Sequence, residues 1–436
     1  MPFFVRWKPD FHMVCVWLCV VATSGPSLVF SDEKSDQQST ELTAVELVLD
    51  NQLATRIERL WQVTWSRFYS PRTHLVYDYL SSYESGRELN HLPTAAEVQN
   101  QDPNECGYGT GMEDCMISAG VMLSLIVDRH AVTQEEWLRE RAKQVFKGVQ
   151  LCATAHGVPG FLARGVCDED LKSVYPNSSR DQYTHAIHGL WHYFHSPLCD
   201  PATRQEIRQL MSAVADRMRA KVIAANDYDS LRLDGTRDTR GISRMWNVAG
   251  HEAARLPMIY AATWDVTGDR KYYDWYQEYV KPAIEQSCTV EENQPTYAFL
   301  QMQASLEVLL RLEKEGSLGP KITLTMKTIT LRMAKRAESA GNRGESLDLT
   351  KLCTDWRSTA GLSAEGSYRP VWYCIRESGE AALAQLIDQS SRFPRPQQTA
   401  LRDAVMRVDP DRVSSNGIIY LQAAYWKALR RQNESP

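Results

Sequence analysis

Residues 181–195 read DQYTHAIHGLWHYFH and hold four of the chain's ten histidines and one acid, with no Lys, Arg or Glu. At about 100° per residue, Asp181, His185, His188, His192 and His195 fall within an arc of about 80° on a helix. Ala186, Ile187, Leu190 and Phe194 cluster on the other side. A helix facing bulk water would carry Lys and Glu on its polar stripe. This one carries groups that titrate near neutrality and hydrogen-bond in both directions, so the stripe is expected to line a pocket.

The chain has 436 residues, 43% of them hydrophobic and 24% charged. That composition supports a sizeable core and argues against disorder over most of the length. The net charge of -5 comes without a Lys/Arg block, which gives no electrostatic case for a nucleic-acid partner. Near the start, Arg6 and Lys8 precede an apolar run over 13–22 and then Thr23, Ser24, Gly25 and Pro26. The run is too short to span a bilayer, which needs about 20 apolar residues, and reads as a secretory signal over 1–31. A polar, disordered mature start over 32–40 and a single domain over 41–436 follow. The expected location is secreted or periplasmic, with no stable membrane span after signal removal. Eight cysteines remain beyond the signal and no CxxC occurs, so pairing and buried free thiols both stay open.

From 41 onward the apolar spacing is helical almost throughout and no strand series appears. Helices are expected near 41–69, 113–130, 134–156, 181–195, 201–225, 247–267, 269–286, 296–315, 319–340, 376–390, 397–408 and 416–432. Short links alternate with long ones over 69–111, 157–180, 226–246 and 341–375. Short links join antiparallel neighbours, which gives helical hairpins separated by elaborated loops. An all-α ring of about twelve helices in six hairpins, an (α/α)6 barrel, fits this pattern. Its cleft would lie at the end carrying the long loops. An open solenoid is the competing architecture, but no sequence period supports it.

Three stretches resemble the six-hairpin glycosidases, a carbohydrate-active superfamily of (α/α)6 barrels. They are GYGTGMEDCMISAG at 107–120, GVPGFLARGV at 157–166 leading into SSRDQYTHAIHGLWHYF at 178–194, and AATWDVTGDRKYYDWY at 261–276. The resemblance is closest to uronic-acid-active members, unsaturated glucuronyl hydrolases and the barrel domains of polysaccharide lyases. It implies a site on inner helices and the loops before them, built here from Glu113, Asp114, Arg164, Arg180, Asp181, Gln182, Tyr183, His185, Trp246, His251 and Glu252.

Glycosidic cleavage needs a proton donor and a base or nucleophile, usually two carboxyl groups. Asp114, Asp181 and Glu252 each begin an expected inner helix, where the helix dipole favours an anion and where a structural N-cap is the competing role. His185 and His251 complete the candidate catalytic set. Glu113, Arg164, Arg180, Gln182, Tyr183, His188, Trp246, Asn247, Tyr368 and Trp372 are the candidate substrate-binding residues. Beta-elimination at the same cleft would use the Arg, His and Tyr groups instead. A metal is not expected, because ligands from one straight helix cannot surround an ion unless a neighbouring helix supplies the rest, and there is no HExxH. No cofactor is expected. The reading is an exported glycoside hydrolase acting on uronic-acid-containing glycans, so polysaccharide degradation, with a polysaccharide lyase or a non-catalytic glycan-binding or scaffold protein as alternatives.

Overall fold

A helix that is apolar around its whole circumference has to be buried on every side, and every second long helix of this chain has that character. The structure is a computed structural model describing residues 50–289, 291, 293–350, 352 and 368–434. The expected signal and polar start lie outside those residues, and Ala44–Pro436 forms one compact unit. The helices are α1 (Asn51–Val63, continued by a π-turn over Thr64–Phe68), α2 (Ala95–Gln99), α3 (Cys115–Thr133), α4 (Leu138–Thr154), α5 (Arg180–His195), α6 (Pro201–Lys221), α7 (Arg255–Thr267), α8 (Arg270–Ser287), α9 (Thr296–Glu313), α10 (Gly319–Glu345), α11 (Tyr368–Ile387), α12 (Arg395–Arg407) and α13 (Ile418–Glu434). Two isolated β-bridges, Tyr69 with Val76 and Asp229 with Arg244, are the only sheet-like pairings among the described residues.

The inner ring closes on itself. Helix α3 packs on α5, α5 on α7, α7 on α9, α9 on α11, α11 on α13, and α13 returns to α3. Helices α1, α4, α6, α8, α10 and α12 form the outer layer, each burying one face, while α2 sits inside the first long loop. The fold is the expected all-α (α/α)6 barrel. Helix α3 is long and apolar enough to cross a membrane, but 83% of its apolar window is buried inside the barrel, as befits a core helix.

Local chemistry sets the hairpins. Gly268 ends α7 in the left-handed region at φ 71°, and Asp269 then caps α8 by accepting from the Lys271 N–H at 3.0 Å. That Thr-Gly-Asp link needs no further residue to reverse the chain. Asp200, followed by Pro201, starts α6 in the same way, accepting from the Thr203 N–H at 2.8 Å. The short links sit after inner helices, whereas the long links over 69–114, 155–179 and 222–254 all lead into them.

Some expected boundaries shift. The helix expected from 247 begins at Arg255, because residues 246–254 make turns and Asn247 takes φ 55°. The helix expected from 376 begins at Tyr368. No disulfide joins the described cysteines, and Cys353 lies outside them. Asn177, in a glycosylation-like triplet, is fully buried and bonded to Asp238, so that triplet serves packing.

Inner helices touch backbone to backbone where glycine allows it. A Cβ on Gly189 of α5 would lie 2.3 Å from the Gly120 carbonyl oxygen of α3, and one on Gly120 would lie 2.1 Å from the His185 carbonyl oxygen. Gly189→Ala is expected to lower unfolding stability by about 1–3 kcal/mol through overpacking. Gly341→Ala, at a helical site with open space around it, should instead raise stability by about 0.5–1 kcal/mol. Chemical denaturation of both variants against the parent checks the pair.

Candidate active site at the mouth of the barrel

The long loops place their polar residues over the N-terminal ends of the inner helices, where unsatisfied N–H groups favour anions. Four acids gather there, and arginines from neighbouring elements meet three of them. Asp114 holds the N-cap position of α3 but makes no capping bond. Its carboxylate instead takes a hydrogen bond from Arg376 of α11 at 3.0 Å, with Arg164 at 3.8 Å and Gln182 Nε2 at 3.4 Å. Asp181, in the first turn of α5, pairs with Arg255 at the start of α7 at 2.5 Å. Arg180 donates to Glu252 and also to the Gly241 and Arg244 carbonyls. Burial opposes ionisation of Asp181, but Arg255 and Arg180 outweigh it and hold that carboxyl below its usual range. Asp181 is also the most open of these acids, with 30% of its side chain exposed against 17% for Asp114 and 13% for Glu252.

Glu113 differs from its neighbour. It is buried and accepts hydrogen bonds from the Tyr79 hydroxyl and from the Gly109 and Gly111 N–H groups. Burial pushes its carboxyl up to about 7, against donors that favour the anion. It therefore braces the glycine-rich loop. Arg164 donates to the Glu113 carbonyl at 3.0 Å and to the Tyr108 hydroxyl at 3.2 Å, and lies over the Tyr108 ring.

Two imidazoles border the Asp181–Arg255 pair, and both feel the charge of Arg255. His251 stands in the turn before α7 with Nε2 3.8 Å from Glu252, and its buried Nδ1 has no hydrogen-bond partner among the described residues. His185, one turn into α5, is buried with Nε2 unpartnered among the described residues. Burial, then His188, drives the His185 pKa down to about 3, and burial lowers that of His251 as well. Both rings are neutral at physiological pH.

Other expected site residues stand elsewhere. Tyr183 is fully buried and its hydroxyl accepts from the Leu162 N–H at 3.3 Å, so it anchors a loop and does not face the cleft. Gln182 is equally buried and braces the Glu113 carbonyl at 2.9 Å. His188 lies a turn deeper than His185 and is bonded to Glu307. Glu252 precedes its helix by a turn. Trp246 packs edge-on against Tyr279 of outer helix α8, and Asn247 beside it is exposed. The side chains of Tyr368 and Trp372 lie outside the described residues.

The sequence reading missed Arg255, Arg376, Glu380 and Gln301. Arg376 and Glu380 form an i,i+4 pair inside a buried helix, a pattern visible in the sequence as charges within an apolar run. Gln301 of α9 is fully buried, with both ends of its amide unpartnered among the described residues. Polar atoms of this kind, with those of His185 and His251, mark where a ligand or water completes the site.

No protein-family model matches the chain, and no curated protein matches it. Among solved structures it is similar to cellobiose 2-epimerase from Bacillus thermoamylovorans B4167, with a TM-score of 0.51 and 10% identity over 88% of this chain and 100% of that one. It is also similar to a sugar epimerase from a ruminal bacterium (TM-score 0.47, 10% identity, 87% of this chain and 100% of that one). Cellobiose 2-epimerase from Spirochaeta thermophila DSM 6192 gives a TM-score of 0.46 at 11% identity, over 90% of this chain and 99% of that one. The chain has the all-helical (α/α)6-barrel fold. At these identities the likeness is one of fold.

The protonation of His185 has a measurable consequence. An unfolded histidine titrates near 6.5, whereas this one stays neutral until about 3. Between those values the unfolded chain binds the extra proton, so the His185 contribution to stability falls as pH drops, by about 1.4 kcal/mol per pH unit. Urea denaturation at a series of pH values from 6.5 down to 4.5 should give a shallower pH dependence for His185→Asn than for the parent.

Proposed function

We propose that the protein is a carbohydrate-active enzyme that moves a proton on a sugar carbon next to a carbonyl, a sugar epimerase or isomerase working in the cleft over α3, α5 and α7. One observation carries this reading. The open carboxylates Asp114, Asp181 and Glu252 are each engaged by an arginine, whereas the two imidazoles retain unpartnered nitrogens. Arg255 and Arg180 hold the Asp181 carboxyl below its usual range, which makes it a poor proton donor, and ion pairs occupy oxygens of Asp114 and Glu252. That leaves neutral imidazole as the group suited to take a proton from carbon and return it. In such a step His251, oriented by Glu252, removes the proton beside the carbonyl of a ring-opened aldose. Negative charge then grows on the carbonyl oxygen, where Arg255 and Arg180 would oppose it. Water then delivers a proton to the other face while His251 gives its own to solvent, which inverts the carbon. The fold shared with a cellobiose 2-epimerase supports the same substrate class. Export belongs to the proposal on the N-terminal sequence alone.

A second reading is hydrolysis of a uronic-acid-containing glycan. The observation favouring it is that Asp114 and Asp181, the two most open acids of this set, stand on adjacent inner helices, as a two-carboxylate mechanism requires. Elimination from a uronate would draw on the same arginines and histidines as the proton-transfer reading.

Incubating the protein in D2O with reducing disaccharides and uronate oligosaccharides separates these chemistries by NMR and absorbance. Deuterium at the carbon next to the anomeric centre, with signals of the inverted sugar, is the expected result. New reducing ends without exchange would establish hydrolysis, and absorbance in the unsaturated-uronate band would establish elimination; either one overturns the proposal. His251→Asn is expected to lower turnover by about 10²–10⁴-fold while sugar binding persists.

A further inference from the structure

Deeper in the barrel, below the mouth, the stripe on α5 meets a partner on another helix. His188 and His192 lie four residues apart on one face of α5, and both donate from Nε2 to the same oxygen, Oε2 of Glu307 on α9, at 2.7 and 3.1 Å. The three side chains are close to fully buried. Helices α5 and α9 are separated in the ring by α7, so the contact crosses the bore.

We propose that His188, His192 and Glu307 form a buried site for one divalent ion of the zinc class. All three donor atoms lie within 4.8 Å of one another. Ligand atoms held about 2.0–2.1 Å from a tetrahedral zinc stand about 3.4 Å apart, so small rotations of these side chains bring them around a common centre. Two imidazoles and one carboxylate are a donor set that leaves a fourth position open. A cavity with room for about one water adjoins His188. It is also lined by His185, Asp128 and Lys427, and the unpartnered Nε2 of His185 offers a hydrogen-bond partner for a water ligand. One helix could not enclose an ion by itself; α9 supplies the third ligand.

Coordination through Nε2 needs the proton that each imidazole now donates to Glu307 to move to Nδ1 or to leave for solvent. Lys427 and Arg430 share Asp128, at 3.4 and 2.9 Å, and Arg430 also pairs with Glu434 at 2.7 Å, so two acids balance these two cations apart from Glu307. The site does not depend on which reaction runs at the mouth.

The test strips the full-length protein with a chelator, restores zinc(II), removes loosely held metal on a chelating resin and counts zinc per chain. About one zinc per chain is expected for the parent and for Asp265→Asn, which disturbs the separate His195–Asp265 pair, against below about 0.2 for Glu307→Gln. Cobalt(II) should give the visible bands of a four-coordinate ion with the parent. Less than about 0.2 zinc on the parent, or equal zinc on Glu307→Gln, would leave a hydrogen-bonded triad and overturn the site. If Glu307→Gln does not fold, the cobalt spectrum of the parent decides: absence of the bands overturns the proposal.

Discussion

The barrel depends on how closely its inner helices approach. Gly120 and Gly189 let α3 and α5 touch along their backbones, and Gly379 of α11 does the same against Tyr420 and Leu421 of α13. A ring built on such contacts has a narrow bore, because each helix is held nearer its neighbours than side chains would allow. The inward positions then cannot be left to bulk apolar residues alone. They carry His185, His188 and Gln301, whose polar atoms have to find partners across or along the bore.

Close packing also explains why the mouth is organised as joints between neighbours. Asp114 with Arg376 joins α3 to α11, and Asp181 with Arg255 joins α5 to α7. Buried or half-buried ion pairs contribute little net stability, because desolvation offsets attraction. What they supply is position. Each acid is fixed by a partner on another element, whereas His185 and His251 keep a ring nitrogen unengaged among the described residues.

Much of the architecture was legible in the chain. Helical spacing and the contrast between short and long links were enough to place twelve long helices and to identify the loop-rich end. The start of α7 was misplaced because residues 246–254 keep an apolar spacing compatible with a helix, while Asn247 turns the backbone left-handed. The arginine partners were harder. Asp181 and Arg255 are 74 positions apart and Asp114 and Arg376 are 262 apart, and a single sequence carries no signal of such distances. Glu307 did leave a trace, being the one charged residue between Thr296 and Leu310. An isolated acid in a fully buried helix demands a partner, and the histidines of α5 are that partner.

The alternation of inner and outer helices makes the six inner ones parallel. Their macrodipoles therefore add instead of cancelling, each equivalent to about half a positive charge at the N-terminus and half a negative charge at the C-terminus. The molecule is polarised along its axis by its topology before any side chain is considered. At one pole that field favours anions, whether resident carboxylates or an oxygen gaining charge during a reaction. Toward the other it favours cations, and Lys427, Arg430 and the lower histidines of α5 occupy that half of the barrel. Replacing the loops would change the lining of the cleft, but not the direction of the field across it.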